Sequence, residues 1–495
     1  MEVDYKKLNL KCGLEIHVQL NTKNKLFCNC LATMKEKNPI MLIERKQHPV
    51  ASELGEIDVA AQYEFTRDRV FYYQVFPNEV CLVCTDEEPP HDLNQEALEI
   101  ALNIALLMNC KIPDEIHVMR KTLIDGSAIC GFQRTAIIGI NGFINYKGKK
   151  VEIKHISLEE DSAGIFSEEE KKVTYKLNRL GIPLVEIATG ILSDFTPEEI
   201  EDIAKLIGAI CYSTGKVKTE IGSIRQDVNV SIRNGPRVEI KGIQELGLIA
   251  KVIELEIQRQ LSLENVKEET RSANPDGTTR YTRPLPGAAR MYVETDLLPI
   301  PIKKEMILKI KKKLPETWDK KIYRLKKELK LSDELANQIV RSKYFHLFEE
   351  IVKKLKISPT VVANTFTNIL KELKRRNIPV ENIEDKEFID MFKKIKDKKM
   401  AKEGISIVLE KMALEREKSL LELIEELNLS PISESELSKI VKEKIKENKE
   451  RLVDARQAAN LLMGLVMKEA RGRIDGELVN KMVKKEVEEF FSRKA

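Results

Sequence analysis

The spacing of apolar residues changes near Pro301, and this change restricts the chain to a fold with two kinds of region. Before it, apolar and polar residues alternate, as in residues 14–20 (LEIHVQL) and 227–232 (DVNVSI). Such alternation is typical of strands with one buried face and one polar face. After it, apolar residues recur at helical spacing among lysines and glutamates. A β-rich front half and an all-helical rear half predict the α+β class and at least two domains.

Helices are also expected between the front strands. Residues 94–109 (NQEALEIALNIALLMN) place their apolar residues on one stripe. Thr196 precedes Pro197 and two glutamates, which is the signature of an N-cap, a proline in the first turn and acids near the helix start.

The polar faces of the predicted strands carry many charged residues. Glu15 and His17 share one face, Glu186 stands among apolar neighbours, and residues 155–161 (HISLEED) end in three acids. Hard oxygen ligands with an imidazole suit magnesium or manganese. We therefore predict that the strands share one solvent-accessible polar face, which holds a metal ion and phosphates. The alternative is that each strand has an ordinary solvent face.

Basic residues lie near these acids, at the ends of predicted strands: Arg120, Lys121, Arg134, Arg225, Arg237 and Lys241. Such groups neutralise a triphosphate in phosphoryl transfer; the alternative is a set of surface ion pairs. Thr214-Gly215-Lys216 resembles the end of a P-loop, but Gly208 stands seven positions before Gly215 instead of five. A nucleotide bound here is thus held without a P-loop or a Rossmann turn.

The cysteines form two close pairs, Cys28 with Cys30 and Cys81 with Cys84. Four thiols in this spacing predict a closed structural zinc site; the alternative is two pairs of small buried residues. No apolar run approaches the roughly 20 residues that span a membrane, and no secretory signal is visible, so a reducing cytoplasm is expected. The balance of 83 Lys+Arg against 79 Asp+Glu argues against nucleic-acid binding by bulk charge alone.

Longer motifs, in order along the chain, carry a resemblance to a known family. They are residues 12–20 (CGLEIHVQL), 158–161 (LEED), 181–187 (GIPLVEI), 226–232 (QDVNVSI) and 239–242 (EIKG). They resemble the B/E family of tRNA-dependent amidotransferase subunits. Further stretches look like the archaeal E type in particular: residues 50–56 (VASELGE), 86–90 (DEEPP), 117–127 (HVMRKTLIDGS) and 131–135 (GFQRT).

The resemblance covers nearly the whole chain, as far as residues 461–468 (LLMGLVMK). It implies a catalytic cradle domain at residues 1–300, built on a mainly antiparallel sheet with flanking helices. A helical domain at residues 301–425 and a tRNA-binding helical tail at residues 426–495 are expected to follow.

The activity that the resemblance implies is that of a carbon–nitrogen ligase, which converts Glu-tRNA(Gln) to Gln-tRNA(Gln). A free carboxylate is a poor electrophile, so ATP first phosphorylates the side chain of the tRNA-bound glutamate. Ammonia then displaces phosphate to give the amide. In the first step, magnesium and basic residues are expected to stabilise the negative charge of the transferred phosphate.

Matching motifs assign residues to these roles. His17, Glu160 and Glu186 are the expected magnesium ligands, with Glu15 and Glu159 as neighbouring catalytic residues. Contacts to the nucleotide or to the activated glutamate are expected from a set spread over several motifs: Arg120, Lys121, Ser127, Arg225, Asp227 and Lys241.

The resemblance also implies partners. The sequence has no visible amidase pattern, so ammonia is expected from an asparaginase-like D subunit, in a heterodimer or a dimer of heterodimers. Glu-tRNA(Gln) is expected at the helical tail, with help from Lys468, Arg471 and Arg473, which otherwise form a solvated helix face.

One feature departs from the archaeal pattern. A long insertion similar to a domain of bacterial aspartyl-tRNA synthetases is expected before residues 276–279 (DGTT), and it is absent here. This puts in doubt the tRNA contacts that the insertion makes, whereas the residues assigned to magnesium and to the nucleotide are unaffected.

Two other functions remain open. The first is a B-type subunit that works with an amidase and a small third chain, and that also acts on Asp-tRNA(Asn). Residues 52–56 (SELGE) and 86–90 (DEEPP) argue against it. The second is a non-catalytic RNA-binding scaffold, which has no need for acids and a histidine on one polar face. Magnesium-dependent ATP binding separates the scaffold from the ligase.

Overall fold

The computed structural model describes residues 4–51, 55–220, 222–263, 265–287, 291–452, 454–470, 472–474 and 476–492. Part of the motif at residues 50–56 and Arg471 lie outside the described residues. Within these ranges, no helix is both long and apolar enough to cross a membrane.

The strands are β1 (Lys11–Gln19), β2 (Met41–Arg45), β3 (Val70–Val75), β4 (Glu115–Ile116), β5 (Val118–Thr122), β6 (Phe132–Tyr146), β7 (Lys149–Glu160), β8 (Gly164–Glu168), β9 (Lys172–Lys176), β10 (Pro183–Thr189), β11 (Ile224–Ser231), β12 (Val238–Ile243), β13 (Glu269–Ala273), β14 (Thr279–Pro284), β15 (Met291–Val293) and β16 (Ile300–Pro301). The α-helices are α1 (Val59–Thr66), α2 (Gln95–Leu107), α3 (Pro197–Ser213), α4 (Ile249–Ser262), α5 (Lys304–Lys312), α6 (Trp318–Leu329), α7 (Asp333–Val340), α8 (Phe345–Leu355), α9 (Pro359–Asn364), α10 (Leu370–Arg375), α11 (Asp385–Lys396), α12 (Ile405–Leu414), α13 (Leu420–Glu426), α14 (Glu434–Glu447), α15 (Ala455–Ala470) and α16 (Gly476–Ser492).

A ten-stranded sheet forms the centre of the front half, in the order β14-β13-β12-β11-β1-β10-β7-β6-β5-β15. Its neighbouring strands are antiparallel, except that β12 and β13 run parallel. The predicted α+β class and mainly antiparallel sheet are therefore confirmed.

The alternating sequence of β1 explains why this sheet has one dry face and one polar face. Leu14, Ile16 and Val18 are buried in the main core together with Ile203 and Ile207 of α3. Burying a side chain of this size contributes about 1.5–3 kcal/mol. Because side chains alternate along a strand, the residues between them project to the other face.

The helices that cover the dry face begin where the sequence predicts. The Thr196 side chain accepts the backbone N–H of Glu199 at 3.3 Å, and Glu199 Oε2 accepts the N–H of Thr196 at 3.2 Å. This reciprocal pair is a capping box and fixes the start of α3. The side chain of Asn94 likewise caps α2 by accepting the N–H of Ala97 at 3.1 Å.

A smaller sheet, in the order β2-β3-β9-β8, supports one loop of the large sheet. The hydroxyls of Tyr73 and Tyr175 donate to the carbonyls of Gly126 at 2.8 Å and Asp125 at 2.9 Å. Gly126 has a φ of +87°, and a Cβ there would lie 2.3 Å from the ring of Phe71. A glycine is therefore required for the loop to sit against this sheet.

The chain divides into two compact units, residues 1–317 and 318–495. Helix α5 belongs to the first unit, because Ile310 is part of its main core. In the second unit, one core runs from Leu325 to Leu429 and another joins α14, α15 and α16. The all-helical rear half is thus confirmed, whereas the three functional domains and their limits stay predictions.

Candidate active site

Three neighbouring strands in the middle of the large sheet bring the predicted polar faces together. Strand β1 lies between β10 and β11, and His17 is opposite Glu186 on one side and Arg225 on the other. Glu15 is opposite Asp227 of β11. Since directly opposite residues of antiparallel strands project to the same face, these side chains share one surface.

His17, Glu159 and Glu186 form a compact group on this surface, with one potential ligand atom of each within 4.8 Å of the others. His17 Nε2 lies 3.3 Å from Glu186 Oε2. Lys121 Nζ lies 3.0 Å from Glu159 Oε1 and 3.5 Å from Glu186 Oε2. Two carboxylates and an imidazole are a donor set that magnesium or manganese accepts, so the residues present fit such an ion.

Glu160, a predicted magnesium ligand, lies outside this group, and Glu159 is in its place; the ligand set itself stays a prediction. Successive residues of a strand point to opposite faces, so Glu159 of β7 faces the polar surface and Glu160 faces away. Glu160 Oε2 accepts the backbone N–H of Arg134 at 3.2 Å and lies 3.5 Å from Arg134 Nη1. Burial raises the pKa of Glu160, although the charge of Arg134 acts in the opposite direction.

His155 is part of the site, although the sequence analysis assigned it no role. Its Nε2 lies 3.6 Å from Glu186 Oε1. It shares a face of β7 with Ser157 and Glu159, and all three line the same cavity. Period-two spacing counted back from Glu159 is the sequence signal that points to it.

The surroundings of Glu186 keep it ionised. Burial alone would raise the pKa of its carboxyl, but Lys121 and the hydrogen bonds with His155 and His17 hold that pKa well below its usual range. For His17, burial acts to lower the pKa, but the hydrogen bond with Glu186 and the nearby negative charges outweigh it and raise the pKa. The carboxylate and the imidazole thus stabilise each other's charged forms.

A second group of acids surrounds Lys241. Lys241 Nζ lies 3.0 Å from Asp227 Oδ2 and 2.8 Å from Glu239 Oε1. Asp227 Oδ1 also accepts the backbone N–H of Gly242 at 2.9 Å. Burial acts to raise the pKa of Asp227, but Lys241 and His17 lower it overall. The two carboxylates therefore hold Lys241 as a fixed cation next to the first group.

Both groups line one cavity of about 540 Å³, which we call the central cavity. Ten residues predicted from sequence lie in its wall: Glu15, His17, Lys121, Ser127, Glu159, Glu186, Arg225, Asp227, Arg237 and Lys241. Thr135 and Gln133 also line it and were not predicted; Thr135 Oγ1 and Gln133 Nε2 donate to Glu159 at 3.0 Å and 3.1 Å.

Arg225 is held in the wall by a buried acid. Arg225 Nη2 lies 2.7 Å from Asp161 Oδ1, and Gln19 donates to the other oxygen of Asp161. Burial acts to raise the pKa of Asp161, but Arg225 and Arg179 lower it. Asp161, the last residue of the LEED motif, therefore positions the guanidinium of Arg225 in the wall of the central cavity.

Arg120 lies outside the lining of the central cavity, and its predicted contact with the nucleotide stays a prediction. It pairs with Glu294, lies 3.3 Å from Asp296, and stacks its guanidinium 4.7 Å from the centre of the Phe132 ring. Arg120 and Lys121 are consecutive in β5, so they project to opposite faces and Lys121 is the one that reaches the acids.

The four paired cysteines form a cluster of their own. One sulfur of each of Cys28, Cys30, Cys81 and Cys84 lies within 4.8 Å of the others. Cys28 Sγ is 3.7 Å from Cys84 Sγ, and Cys81 Sγ is 4.0 Å from it. None of the four forms a disulfide. This is the donor set and closeness of a tetrahedral zinc site.

A buried lysine lies beside this cluster. Lys25 is 1% exposed, and its Nζ is 3.5 Å from Cys84 Sγ and 3.1 Å from the carbonyl oxygen of Leu177. Hydrogen bonds with Cys28 and Cys30, assisted by the charge of Lys25, lower the pKa of Cys84 to about 6. A buried ammonium requires a nearby negative charge, and a thiolate supplies one.

Of the basic residues predicted to contact tRNA in the tail, the structure describes two. Lys468 lies on an exposed face of α15. Arg473 Nε donates to the carbonyl of Ser430 at 3.0 Å, so this side chain fastens two segments of the second unit.

Comparison with known proteins gives the family to which this chain belongs. A family model described as the GatB/GatE catalytic domain matches residues 10–308, more than half of the chain. The chain belongs to the GatB/GatE family. A second family model, described as the GatB domain, matches residues 346–487 of this GatB/GatE chain.

Relatives that share one name occur in several archaea. Proteins named as the E subunit of glutamyl-tRNA(Gln) amidotransferase, from Methanocaldococcus jannaschii and Thermococcus sibiricus, are 37% and 35% identical to this chain, over 99% of it and 100% of each relative. The protein of that name from Saccharolobus solfataricus is 34% identical over 98% of both chains. The resemblance to the E type is thus confirmed.

The alignment with the Methanocaldococcus jannaschii relative runs over 632 positions, whereas this GatB/GatE chain has 495 residues. That relative therefore contains residues that this chain lacks. At the place where the insertion is expected, β13 and β14 are joined by a tight turn. Asn274 N–H donates to Thr278 O at 2.8 Å and Gly277 N–H to Asn274 O at 3.0 Å. Gly277 takes a φ of +88°, which this turn requires.

Proposed function

We propose that this chain is the ATP-using, tRNA-binding subunit of an enzyme that converts Glu-tRNA(Gln) to Gln-tRNA(Gln). The observation that carries the proposal is the wall of the central cavity, where a possible metal-ligand group and fixed cations face one space. The name of the full-length archaeal relatives supports the same function and favours the E type over the B type.

The proposed reaction has two steps. A carboxylate oxygen of the tRNA-bound glutamate attacks the γ-phosphorus of ATP, and ADP leaves with the electrons of the broken P–O bond. Ammonia then attacks the acyl phosphate, inorganic phosphate leaves, and a proton is released from nitrogen to give the amide. Both steps need charge neutralisation and exact alignment more than covalent help from the protein.

Three residues are proposed to hold magnesium: His17, Glu159 and Glu186. A magnesium ion held by these residues would supply positive charge to the phosphate oxygens of the nucleotide. Lys121, which lies between Glu159 and Glu186, is placed to meet an anionic oxygen beside them. Its ammonium offsets the repulsion between the two carboxylates and adds positive charge where the transferred phosphate needs it.

The other cations have separate tasks. Asp161 holds Arg225 at the edge of the group, and Asp227 with Glu239 holds Lys241. We propose that both cations bind phosphate oxygens of the nucleotide. Because each is fixed by a buried carboxylate, little reorganisation is needed when the triphosphate enters.

The finer assignments of partners and metals are part of the same proposal. Ammonia is supplied by an asparaginase-like D subunit in a heterodimer or a dimer of heterodimers, and tRNA contacts the helical tail at residues 426–495. The cluster of Cys28, Cys30, Cys81 and Cys84 binds one structural zinc ion, since its donor set is closed and lies outside the central cavity.

The test of this function is ADP release by the wild-type chain mixed with its D partner. With magnesium present, we expect Glu-tRNA(Gln) to stimulate ADP release over uncharged tRNA(Gln), because only the charged tRNA carries a carboxylate to phosphorylate. Gln-tRNA(Gln) should form in step with ADP. Absence of ATP turnover with every charged tRNA tried would leave the RNA-binding scaffold in place of the ligase.

The placement of Glu159 and Glu160 on opposite faces predicts a contrast between two variants. Glu159→Gln is expected to lower Glu-tRNA(Gln)-dependent ADP release by about 10²-fold or more, because it removes a proposed ligand. Glu160→Gln is expected to keep most of the activity and to lose about 1–3 kcal/mol of stability, because it weakens a buried contact with Arg134. Steady-state kinetics and thermal unfolding measure the two effects; activity losses of the opposite order would restore Glu160 as the ligand.

A further inference from the structure

Glu15 of β1 differs from the other acids in the described lining of the central cavity, because it forms no ion pair there. Each of the others pairs with a cation of the protein: Asp125 with Arg283, Glu159 and Glu186 with Lys121, Asp161 with Arg225, and Asp227 and Glu239 with Lys241. A partly buried carboxylate is stabilised by a positive charge close to it. Glu15 is therefore the acid of this wall that has room for a cationic ligand.

The carboxylate of Glu15 is held in place with one oxygen left over. It lies on the polar face of β1, because Leu14 and Ile16 on either side of it are buried in the core. Asn229 Nδ2 donates to Glu15 Oε1 at 3.2 Å. Among the described residues, Glu15 Oε2 has no donor. The orientation of the carboxylate is thus fixed, and Oε2 is available to a ligand in the cavity.

Lys241 does not serve as the partner of Glu15, although it lines the same cavity. Its Nζ is held by Asp227 Oδ2 at 3.0 Å and by Glu239 Oε1 at 2.8 Å. Asp227 is directly opposite Glu15 in the pairing of β1 with β11. Three carboxylates therefore share one ammonium on this side of the cavity, and a further positive charge would stabilise the arrangement.

A second divalent cation is the competing occupant, since Glu15, Asp227 and Glu239 have one oxygen each within 4.8 Å of one another. This group has no imidazole, and its acids are engaged. Asp227 Oδ1 accepts the backbone N–H of Gly242 at 2.9 Å, and Glu239 Oε2 accepts the hydroxyl of Thr270 at 3.0 Å. A divalent ion is favoured where several available carboxylates converge, whereas one available oxygen suits a monovalent ammonium.

The substrate of the proposed reaction carries such an ammonium. A glutamate esterified to tRNA has a free α-amino group, which takes up a proton near neutral pH. Glu15 and His17 lie two residues apart on one face of β1, a separation of about 7 Å. In an extended glutamate the α-nitrogen and the side-chain carboxyl carbon are about 5 Å apart, from bonds of about 1.5 Å. One glutamate can therefore contact Glu15 and present its side chain to the group of His17, Glu159 and Glu186.

We propose that Glu15, oriented by Asn229, binds the α-ammonium group of the glutamate that is esterified to tRNA. This inference rests on the proposed function and gives Glu15 a role in holding the substrate. Fixing the α-nitrogen at one end of the glutamate restricts where its side-chain carboxylate can lie. The carboxylate then faces the proposed metal ligands instead of the cations that line the rest of the wall.

The test uses tRNA(Gln) esterified with 2-hydroxyglutarate, in which a hydroxyl replaces the ammonium at nearly the same size. Wild-type protein with its D partner is expected to release ADP with a kcat/KM about 10–100-fold lower on this analogue than on Glu-tRNA(Gln), the loss of one charge-assisted hydrogen bond. Glu15→Gln should lower kcat/KM for Glu-tRNA(Gln) by a similar factor and change the analogue by less than about threefold. The variant should thus lose the preference for the amino group.

Glu99→Gln is the matched control, since Glu99 is exposed on α2 and outside the central cavity. It should keep the wild-type preference. Equal use of both substrates by the wild type would overturn the proposal without any variant. A Glu15→Gln protein that slows both substrates equally, and needs more magnesium for half-maximal rate, would make Glu15 a metal ligand instead. Failure of the proposed function is distinct, because Glu-tRNA(Gln) would then not stimulate ADP release by the wild type at all.

Discussion

Glu186→Gln is expected to lower the rate of Gln-tRNA(Gln) formation by about 10²–10³-fold, the largest catalytic effect of a single substitution in this chain. The carboxylate of Glu186 is the common partner of His17 at 3.3 Å, Lys121 at 3.5 Å and His155 at 3.6 Å. A neutral amide removes a proposed magnesium ligand and also leaves these groups with less negative charge to balance them. Both changes act against binding of the metal and alignment of the triphosphate.

The measurement is formation of Gln-tRNA(Gln) with ammonium chloride as the nitrogen source, so that ammonia release by a partner does not limit the rate. Glu99→Gln is the matched control, because Glu99 lies on the exposed side of α2 and outside the central cavity. Thermal unfolding of both variants shows whether the fold is intact. A Glu186→Gln protein that turns over at the wild-type rate would exclude Glu186 as a ligand and move the metal elsewhere.

The magnesium concentration needed for half-maximal rate refines this result. Loss of a ligand should raise that concentration in Glu186→Gln, whereas loss of an orienting contact should lower the rate at every magnesium concentration. The same titration on a His155→Asn variant separates a ligand from a neighbour, because His155 contacts Glu186 and is outside the compact group of three.

The alternation of apolar and polar residues was enough to predict strands with one buried face and one polar face, whereas the mainly antiparallel sheet was implied by the family resemblance. Leu14, Ile16 and Val18 could only be buried together if Glu15 and His17 faced the other way, and the structure has this arrangement. The strand order of the sheet does not follow from such a pattern. It depends on which strands pair, and pairs such as β1 with β10 join residues far apart in sequence.

Adjacent residues explain why two of the predicted site residues lie outside the wall of the central cavity. Motif matching treated Glu159 with Glu160, and Arg120 with Lys121, as members of the site, although a strand sends one of each pair to the opposite face. Residues two or four apart on a strand project to the same face, so Glu159 shares a face with His155. Lys121 contacts Glu159 and therefore lies on that face as well. Periodicity was present in the sequence and carries more information here than the order of letters in a motif.

A second cavity, which adjoins the central cavity, illustrates what sequence spacing could not supply. Its arginines come from the segment after α1, from β14 and from the loop after β9, which are brought together by the packing of α1 on β14 and by the smaller sheet. Each arginine taken alone has the sequence surroundings of a surface ion pair. Only long-range packing, which no local pattern encodes, turns them into one surface.

Cys84→Ala is expected to have the largest effect on stability and to abolish zinc binding. A structural zinc ion in isolated zinc-finger peptides contributes about 10–16 kcal/mol of apparent binding free energy. Half of this binding free energy would already exceed the about 0.5–3 kcal/mol of unfolding free energy that an ordinary substitution removes. The cluster joins the segment after β1, which carries Cys28 and Cys30, to the segment before α2, which carries Cys81 and Cys84.

Losing the ion should therefore loosen both segments and expose Lys25, whose neighbour Cys84 supplies the nearby sulfur. The measurements are zinc content by elemental analysis, expected to fall from about one ion per chain, and the free energy of unfolding. Cys211→Ala is the matched control: it removes an equally buried sulfur from α3, so it should keep the zinc and lose only the packing of that sulfur. Wild-type protein that carries no zinc, and whose unfolding is insensitive to a chelator, would mean instead that the four thiols are packed as small buried side chains and that Lys25 is balanced by a thiolate alone.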